Sequence, residues 1–372
     1  MGRFISLSLL VACLCILPAF AATALLSTSF KNGPGSWAVM GGTGSLRVSR
    51  DAPDLRDNEP ALAFDYEIGL RKFGAAILPT DPGALTSMDR LHFWVKTDYP
   101  TTVIVIMKEK DGGNYSAMAW SPGGAWQEVR LSPRDFSLGE RPTDPPDPDG
   151  KLDLDEVQGI GIADLGQLLG AGSSPMLGDS AARHAGKHTL FLSGFEALSG
   201  SPARKDNLSV DQFDTPQITW SAIGDVTLAR DTSETHAPAA ALESRYGAND
   251  NGIIVFARNL PPDIPANITH ISFDVAAEKD AQLAFVLQQK GSGKGEGPRY
   301  NTVVEVRGGG KSDHRELAVR AFDLDRNGPA DPAGALNISK SKSMAIVDAA
   351  RFGNAGIGPN TIWISNIRLI AK

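Results

Sequence analysis

The segment Leu91-His92-Phe93-Trp94-Val95 has a counterpart 180 positions later, Ile271-Ser272-Phe273-Asp274-Val275. The same offset relates Val48-Ser49-Arg50-Asp51 to Leu228-Ala229-Arg230-Asp231. Elsewhere the offset changes only at turn-like segments, as expected for two copies of one fold whose loops differ in length. A unit of this size can bury its own core, so the sequence predicts two tandem domains.

Each copy consists of short segments of alternating apolar and polar residues, separated by Gly, Pro, Asn and Asp. This pattern is typical of β-strands, whose apolar faces must pack against one another. It predicts an all-β fold in which each copy is a two-sheet jelly roll. The strands predicted in the first copy are Leu46–Ser49, Leu62–Glu67, Leu91–Lys96, Thr102–Lys108, Tyr115–Trp120, Trp126–Leu131, Val157–Ala163 and Thr189–Leu198.

The N-terminus is typical of a secretory signal peptide. Arg3 precedes the apolar run Phe4–Leu17, and the small residues of Ala19-Phe20-Ala21 form a cleavage pattern. We therefore expect a secreted or periplasmic protein. The predicted organisation is a signal peptide at 1–21, a first jelly-roll domain at 22–200, a linker at 201–207 and a second jelly-roll domain at 208–372.

Both cysteines, Cys13 and Cys15, lie within this signal segment. Cleavage after Ala21 would leave no thiol, which excludes disulfides and cysteine metal sites in the mature protein. Leu10-Val11-Ala12-Cys13 also matches a bacterial lipobox, and the alternative is a protein that is lipid-anchored through Cys13.

The charge balance is mildly acidic, with a formal net charge of −7 at pH 7. An acidic surface disfavours nucleic acid and anionic membranes as partners. After the signal segment no apolar run is long enough to span a bilayer, so no transmembrane segment is predicted.

A tryptophan strand, Trp126–Leu131, leads in the first copy to Asp135-Phe136, to the segment Leu152–Ile162 and to the closing strand at Thr189-Leu190-Phe191-Leu192. This order resembles the second half of galactose-binding-like jelly rolls, a superfamily that includes many carbohydrate-binding modules and the complex I intermediate-associated domain. The second copy keeps the same order but has His314 near the place of the tryptophan. The resemblance implies glycan binding, with enzyme activity in a minority of members.

Strand parity predicts a binding face in the first copy. In Leu91–Val95 the apolar side chains alternate with His92 and Trp94, which are therefore expected to face outward. Extended to the next two strands, the same parity predicts an open platform of Trp94 and Trp120 that stacks on sugar rings. The predicted ligand-binding residues are His92, Trp94, Lys108, Ser116 and Trp120. The alternative is that the two indoles pack under a loop or against the second copy.

Asp323–Gly328 matches the first half of a calcium-binding loop, in which alternate oxygen side chains converge and a glycine permits the turn. Gly334 stands where such a loop has its bidentate glutamate. A solvated turn is the alternative, because Asp, Asn and Gly are also the residues that turns prefer. The predicted ligands of a structural calcium are Asp323, Asp325, Asn327 and Asp331.

Relatives in the galactose-binding-like superfamily commonly carry an acidic residue in the last strand that helps to hold a structural calcium. This chain has Ser193-Gly194 and Ser365-Asn366 at those places. At these places both copies depart from the family pattern, so the calcium site that the resemblance would imply lacks its usual acidic ligand in each closing strand.

The sequence favours a secreted, non-catalytic protein that binds a poly- or oligosaccharide on the first copy. One alternative is a structural module of the cell envelope that binds another protein. Another is a polysaccharide lyase or glycoside hydrolase on the same scaffold. The sequence has no nucleophile elbow or zinc-binding helix and singles out no pair of carboxylates, so no catalytic residue is predicted.

Overall fold

The computed structural model describes residues 22–69, 72–110, 112–139, 144–147, 149–169, 184–200, 208–247, 254–291, 295–349 and 358–371. The predicted signal peptide at 1–21, with Cys13 and Cys15, and the predicted linker at 201–207 lie outside these ranges. Within them, no helix has the length and apolar character needed to cross a membrane.

The first copy consists of two six-stranded antiparallel sheets. Its strands are β1 (Thr23–Thr28), β2 (Ala38–Met40), β3 (Ser45–Ser49), β4 (Ala61–Ile68), β5 (Ala75–Pro79), β6 (Arg90–Thr97), β7 (Thr101–Glu109), β8 (Asn114–Ser121), β9 (Gln127–Leu131), β10 (Ser137–Leu138), β11 (Val157–Asp164) and β12 (Gly186–Ser199). The front sheet has the order β3-β4-β12-β6-β9, with β1 also paired to β12, and the back sheet has the order β10-β8-β7-β11-β5-β2. The short helical elements are 3₁₀ turns at Ala52–Asp54 and Pro133–Asp135 and an α-helix, α1, at Leu165–Leu169.

The second copy repeats this arrangement. Its strands are β13 (Ser209–Asp211), β14 (Ser221–Ile223), β15 (Val226–Asp231), β16 (Ala241–Tyr246), β17 (Val255–Asn259), β18 (Ile268–Ala277), β19 (Ala281–Gln289), β20 (Arg299–Val306), β21 (Asp313–Ala318), β22 (Asp323–Leu324), β23 (Ser341–Asp348) and β24 (Asn360–Ala371). Its front sheet is β15-β16-β24-β18-β21 with β13 on β24, and its back sheet is β14-β17-β23-β19-β20-β22. Two 3₁₀ turns lie at Val319–Ala321 and Ile338–Lys340.

Strand for strand, the two copies therefore have the same topology, and every sheet is built from one copy only. Inward side chains of the front sheet, such as Leu62 and Phe93, join those of the back sheet, such as Val105 and Ile160, in one buried cluster. Burial of these alternating apolar residues is what drives the two sheets together. The predicted all-β fold of two tandem jelly-roll sandwiches is confirmed.

The closing strand of each copy bends at one left-handed residue. Gly194 in β12 has a φ of +57°, and Asn366 in β24 has a φ of +51°. Up to this residue the closing strand pairs with β4 or β16, and beyond it with β1 or β13. The extra residue is a β-bulge, which Gly and Asn tolerate best because it needs a positive φ.

The two copies are in direct contact. The main-chain N–H of Trp120 in β8 donates to the carbonyl of Ile218 at 2.9 Å. The main-chain N–H of Ala222 in β14 donates to Thr102 Oγ1 at 3.0 Å. Since the Trp120 side chain is also part of the second copy's hydrophobic cluster, apolar packing and hydrogen bonds both join the two sandwiches.

Candidate functional site

The five predicted ligand-binding residues lie in two different sheets. His92 and Trp94 belong to β6 of the front sheet, whereas Lys108, Ser116 and Trp120 belong to β7 and β8 of the back sheet. The chain crosses from one sheet to the other between β6 and β7, so side chains that point outward from each strand point away from each other. The predicted platform shared by Trp94 and Trp120 is therefore wrong.

Trp120 is buried between the copies, with 3% of its surface exposed. Next to it, the Ser116 carbonyl accepts a hydrogen bond from Asn259 Nδ2 at 2.8 Å. Lys108, further along the same face, is exposed. Trp120 thus follows the alternative in which an indole packs against the second copy.

Trp94 is half-buried under a loop of its own copy. The Arg56 guanidinium carbon lies 3.9 Å from the centre of the indole ring. Arg56 and Glu59 exchange two main-chain hydrogen bonds across Asp57 and Asn58, which both have positive φ. This tight turn holds the guanidinium over the ring, so one face of Trp94 is already covered by a cation–π contact.

The same loop is anchored to the front sheet by Lys96 and Trp126. Lys96 Nζ donates to the Pro53 carbonyl at 2.6 Å and to Asp54 Oδ1 at 3.0 Å. Trp126 Nε1 donates to the Leu55 carbonyl at 3.2 Å. The loop therefore forms a fixed cover over this half of the front sheet.

In the second copy, the loop between β15 and β16 makes an equivalent contact. The His236 ring is stacked on Trp363 of β24 with 3.8 Å between centroids and an interplanar angle of 17°. Asp231 holds the imidazole through a 3.2 Å contact to Nδ1. In both copies, an aromatic side chain on the outer face of the front sheet is covered by a planar side chain from the loop between the corresponding strands β3 and β4 or β15 and β16, although Trp94 and Trp363 lie in different strands of the repeat.

A cluster of charged groups lies beside Trp94 at the edge of the front sheet. His92 Nε2 is 2.9 Å from Glu128 Oε1, and His92 Nδ1 is 3.6 Å from Glu196 Oε2. Arg130 donates to the same Glu128 oxygen at 2.6 Å. Burial acts to raise the pKa of Glu128, but the hydrogen bonds and charges of Arg130 and His92 outweigh it and lower that pKa below its usual value. Glu128 is therefore a carboxylate at neutral pH.

This cluster opens into a groove of about 580 Å³ between the copies. One wall consists of β9 and the turn Pro133–Asp135, and the other of residues 209–219 and the end of β17. Four arginines, Arg90, Arg130, Arg134 and Arg258, line it together with five acidic residues. We call this cavity the inter-copy groove.

Sequence analysis missed Glu128, Arg130 and Glu196 as site residues. A signal for two of them is present, because Glu128 and Arg130 alternate with Val129 and Leu131 in a predicted strand and must face outward. The second wall comes from the other copy, and no pattern within one copy indicates it. Of the predicted residues, only His92 and Trp94 lie beside the groove; Lys108, Ser116 and Trp120 do not line it.

The four predicted calcium ligands lie at β22 and in the turn that follows, and they are Asp323, Asp325, Asn327 and Asp331. Asp325 Oδ2 is paired with Arg299 at 3.3 Å. Asp331 Oδ2 accepts a hydrogen bond from the Tyr300 hydroxyl at 2.5 Å. In the part of the chain that the structure describes, no group of three or more His, Cys, Asp or Glu side chains is arranged to hold a metal ion. Structural calcium stays a prediction of the sequence.

Glu109 at the end of β7 has an unusual environment. It is 2% exposed, and its Oε1 accepts a hydrogen bond from the Asp153 N–H at 2.6 Å. Burial raises the pKa of Glu109 to about 7, and the neighbouring carboxylates of Asp147, Asp153 and Glu156 act in the same direction. The folded protein therefore holds this proton more tightly than the unfolded chain does.

This raised pKa predicts a pH dependence of stability. Protonated Glu109 stabilises the fold at a pH below its ordinary pKa of 4.5, and this contribution is lost as the pH rises to about 7. Glu109→Gln stays neutral, so its free energy of unfolding should rise relative to that of the wild type over this interval. Urea unfolding of both proteins at several pH values tests this. A difference that stays constant with pH would show that Glu109 does not titrate in this range.

No family model matches this chain, and no curated protein does. Solved structures similar to it include the family 11 carbohydrate-binding module from Clostridium thermocellum in complex with a β-1,3-1,4-mixed-linked tetrasaccharide. That match has 17% identity and a TM-score of 0.36, and it covers 44% of this chain and 95% of that chain. The tandem of two family 22 carbohydrate-binding modules from Paenibacillus barcinonensis has 13% identity and a TM-score of 0.30, covering 96% and 100%. An exo-β-agarase has 12% identity and a TM-score of 0.35, covering 44% and 25%.

Proposed function

We propose that this protein is a secreted, non-catalytic glycan-binding protein and that a poly- or oligosaccharide lies in the inter-copy groove. The polar groups and the volume of the groove are the observations that support this proposal. Its guanidinium and carboxylate groups are planar and can make paired hydrogen bonds to neighbouring sugar hydroxyls. Its volume of about 580 Å³ falls within the range of about 300–1,000 Å³ typical of small-molecule sites.

The polar groups of the groove are ordered by contacts within the protein. Arg130 is paired with Glu128, which also contacts His92. On the other wall, Arg258 is paired with Asp211. Side chains that are already fixed lose little conformational freedom when a ligand binds. Because positive and negative groups balance closely, the groove suits a neutral or weakly charged glycan.

Trp94 adds apolar surface at the rim of the groove. It lies directly opposite Glu128 in the β6–β9 pair, so both side chains project from the same face. Since Arg56 covers one face of the indole, a sugar at this rim would contact the ring edge and the guanidinium together. Secretion is supported by the signal-peptide pattern at 1–21.

Arg130→Ala is expected to weaken glycan binding by about tenfold to a hundredfold, because a hydrogen bond to a charged group contributes about 1.5–3 kcal/mol. A glycan array selects the ligand, and isothermal titration then measures its dissociation constant for both proteins. Lys108→Ala is the matched control, since Lys108 is an exposed cation on the back sheet. Equal affinities for wild type and Arg130→Ala would contradict the proposal.

Two other experimental results would favour a different function. Turnover of a polysaccharide by the purified protein would favour the lyase or hydrolase alternative. Co-purification of one envelope protein, with no glycan retained on the array, would favour the interaction module.

A further inference from the structure

A second, smaller cavity of about 170 Å³ lies between the copies. Its first-copy wall includes Tyr99, Thr101, Trp120 and His184. Its second-copy wall is the segment 222–227, in which the chain passes from β14 of the back sheet to β15 of the front sheet. It shares no lining residue with the inter-copy groove. We call it the β14–β15 cavity.

The β14–β15 cavity has an aromatic side. The rings of Tyr99 and His184 are stacked, with 4.4 Å between centroids and an interplanar angle of 23°. Trp120 borders the same cavity. Aromatic surface beside polar groups is the combination found where rings that carry hydroxyl groups bind.

The polar side of the cavity is oriented by a buried carboxylate. Asp164 is fully buried and accepts hydrogen bonds from the Tyr99 hydroxyl at 2.5 Å and the Thr101 hydroxyl at 2.6 Å. Burial raises the pKa of Tyr99, so its phenol stays protonated. Both hydroxyl protons are thus committed to Asp164, and the remaining lone pairs of these oxygens can only accept.

Thr102 completes the polar set. Its Oγ1 accepts a hydrogen bond from the Ala222 N–H, so its own proton is the one it can donate. The cavity therefore combines acceptors, a donor and stacked rings. Its volume of about 170 Å³ is less than a third of that of the inter-copy groove, so it suits a smaller ligand, such as a single ring.

We propose that the β14–β15 cavity binds a single sugar ring, either a free monosaccharide or the terminal unit of a glycan. The cavity and the inter-copy groove have different lining residues, so a variant can lose binding at one site and keep it at the other. The ligand class is a neutral cyclic polyol, because the oriented acceptors need a ligand that donates hydrogen bonds.

Isothermal titration of the full-length mature protein with D-glucose, D-galactose and D-xylose tests this site. Saturable binding of at least one sugar is expected in the wild type and in Arg130→Ala. His184→Ala removes an exposed half of the ring stack without touching the core and should weaken that binding about tenfold. Thr227→Trp, at the exposed rim on the second copy, should abolish it by filling the entrance.

A further titration uses a disaccharide of whichever monosaccharide binds. It distinguishes a site for a free monosaccharide from a site for the terminal unit of a glycan. Binding of both sugars indicates a site for chain ends, and binding of the monosaccharide alone indicates a site for free sugar. The proposal is overturned if all three monosaccharides give flat titrations, or if His184→Ala and Thr227→Trp bind as well as the wild type. Loss of binding in Arg130→Ala alone would assign the sugar to the groove and also overturn it.

Discussion

Trp120→Ala is expected to lower the free energy of unfolding by about 3–5 kcal/mol, the usual cost of removing a buried tryptophan. Trp120 is 3% exposed and belongs to the second copy's hydrophobic cluster, although it lies in a strand of the first. Its removal therefore leaves a cavity where the two sandwiches meet. We expect calorimetry to show one unfolding transition in the wild type and two in the variant, because the copies would lose their coupling.

Trp120→Phe is the matched control. It keeps most of the ring volume and removes only an indole N–H that has no acceptor among the described residues. Its stability should stay close to that of the wild type. If Trp120→Ala unfolded in a single transition at an unchanged temperature, Trp120 would not couple the copies.

Asp164→Ala is expected to cost about 3 kcal/mol or more, because it leaves several buried donors without an acceptor, each at about 1–3 kcal/mol. The carboxylate is fully buried and accepts hydrogen bonds from the hydroxyls of Tyr66, Tyr99 and Thr101 and from the N–H of Gly166. Urea unfolding followed by tryptophan fluorescence measures the loss.

Asp164→Asn should lose less, since the amide keeps one oxygen acceptor in the same place. The second copy has a related pair, in which the Tyr246 hydroxyl donates to Asp348 at 2.6 Å. If Asp164→Ala proved as stable as Asp164→Asn, the Tyr66 and Tyr99 hydroxyls would be finding other partners, and the carboxylate would not be what orients them.

The fold could be predicted from the sequence because its signals are local and occur twice. All eight strands predicted in the first copy are present, and their ends differ by at most three residues. Four strands, β1, β2, β5 and β10, were missed, since two to six residues with little alternation give no periodic signal. The pairing of Asp164 with Tyr66 was also missed, although the repeat places Asp348 and Tyr246 in the same relation.

The candidate site was predicted only in part, for a topological reason. Strand parity gives the direction of a side chain relative to its own strand, and it was right for Trp94 and Trp120. It does not say which strands share a sheet. Consecutive strands in a jelly roll often cross between sheets, and β6 and β7 do so here. Both cavities between the copies depend on contacts far apart in sequence, which no local pattern records.

The bulge in the closing strands leaves a pattern in the sequence. The core-facing residues are Leu190, Leu192, Phe195 and Ala197 in β12, and Ile362, Ile364, Ile367 and Leu369 in β24. In both strands, successive core-facing residues are two, then three, then two positions apart in the sequence. The three-residue step contains the left-handed residue, which is Gly194 in β12 and Asn366 in β24. An apolar strand with this one interrupted step, and with glycine or asparagine inside it, is therefore the pattern by which the closing strand of each copy can be found in the sequence.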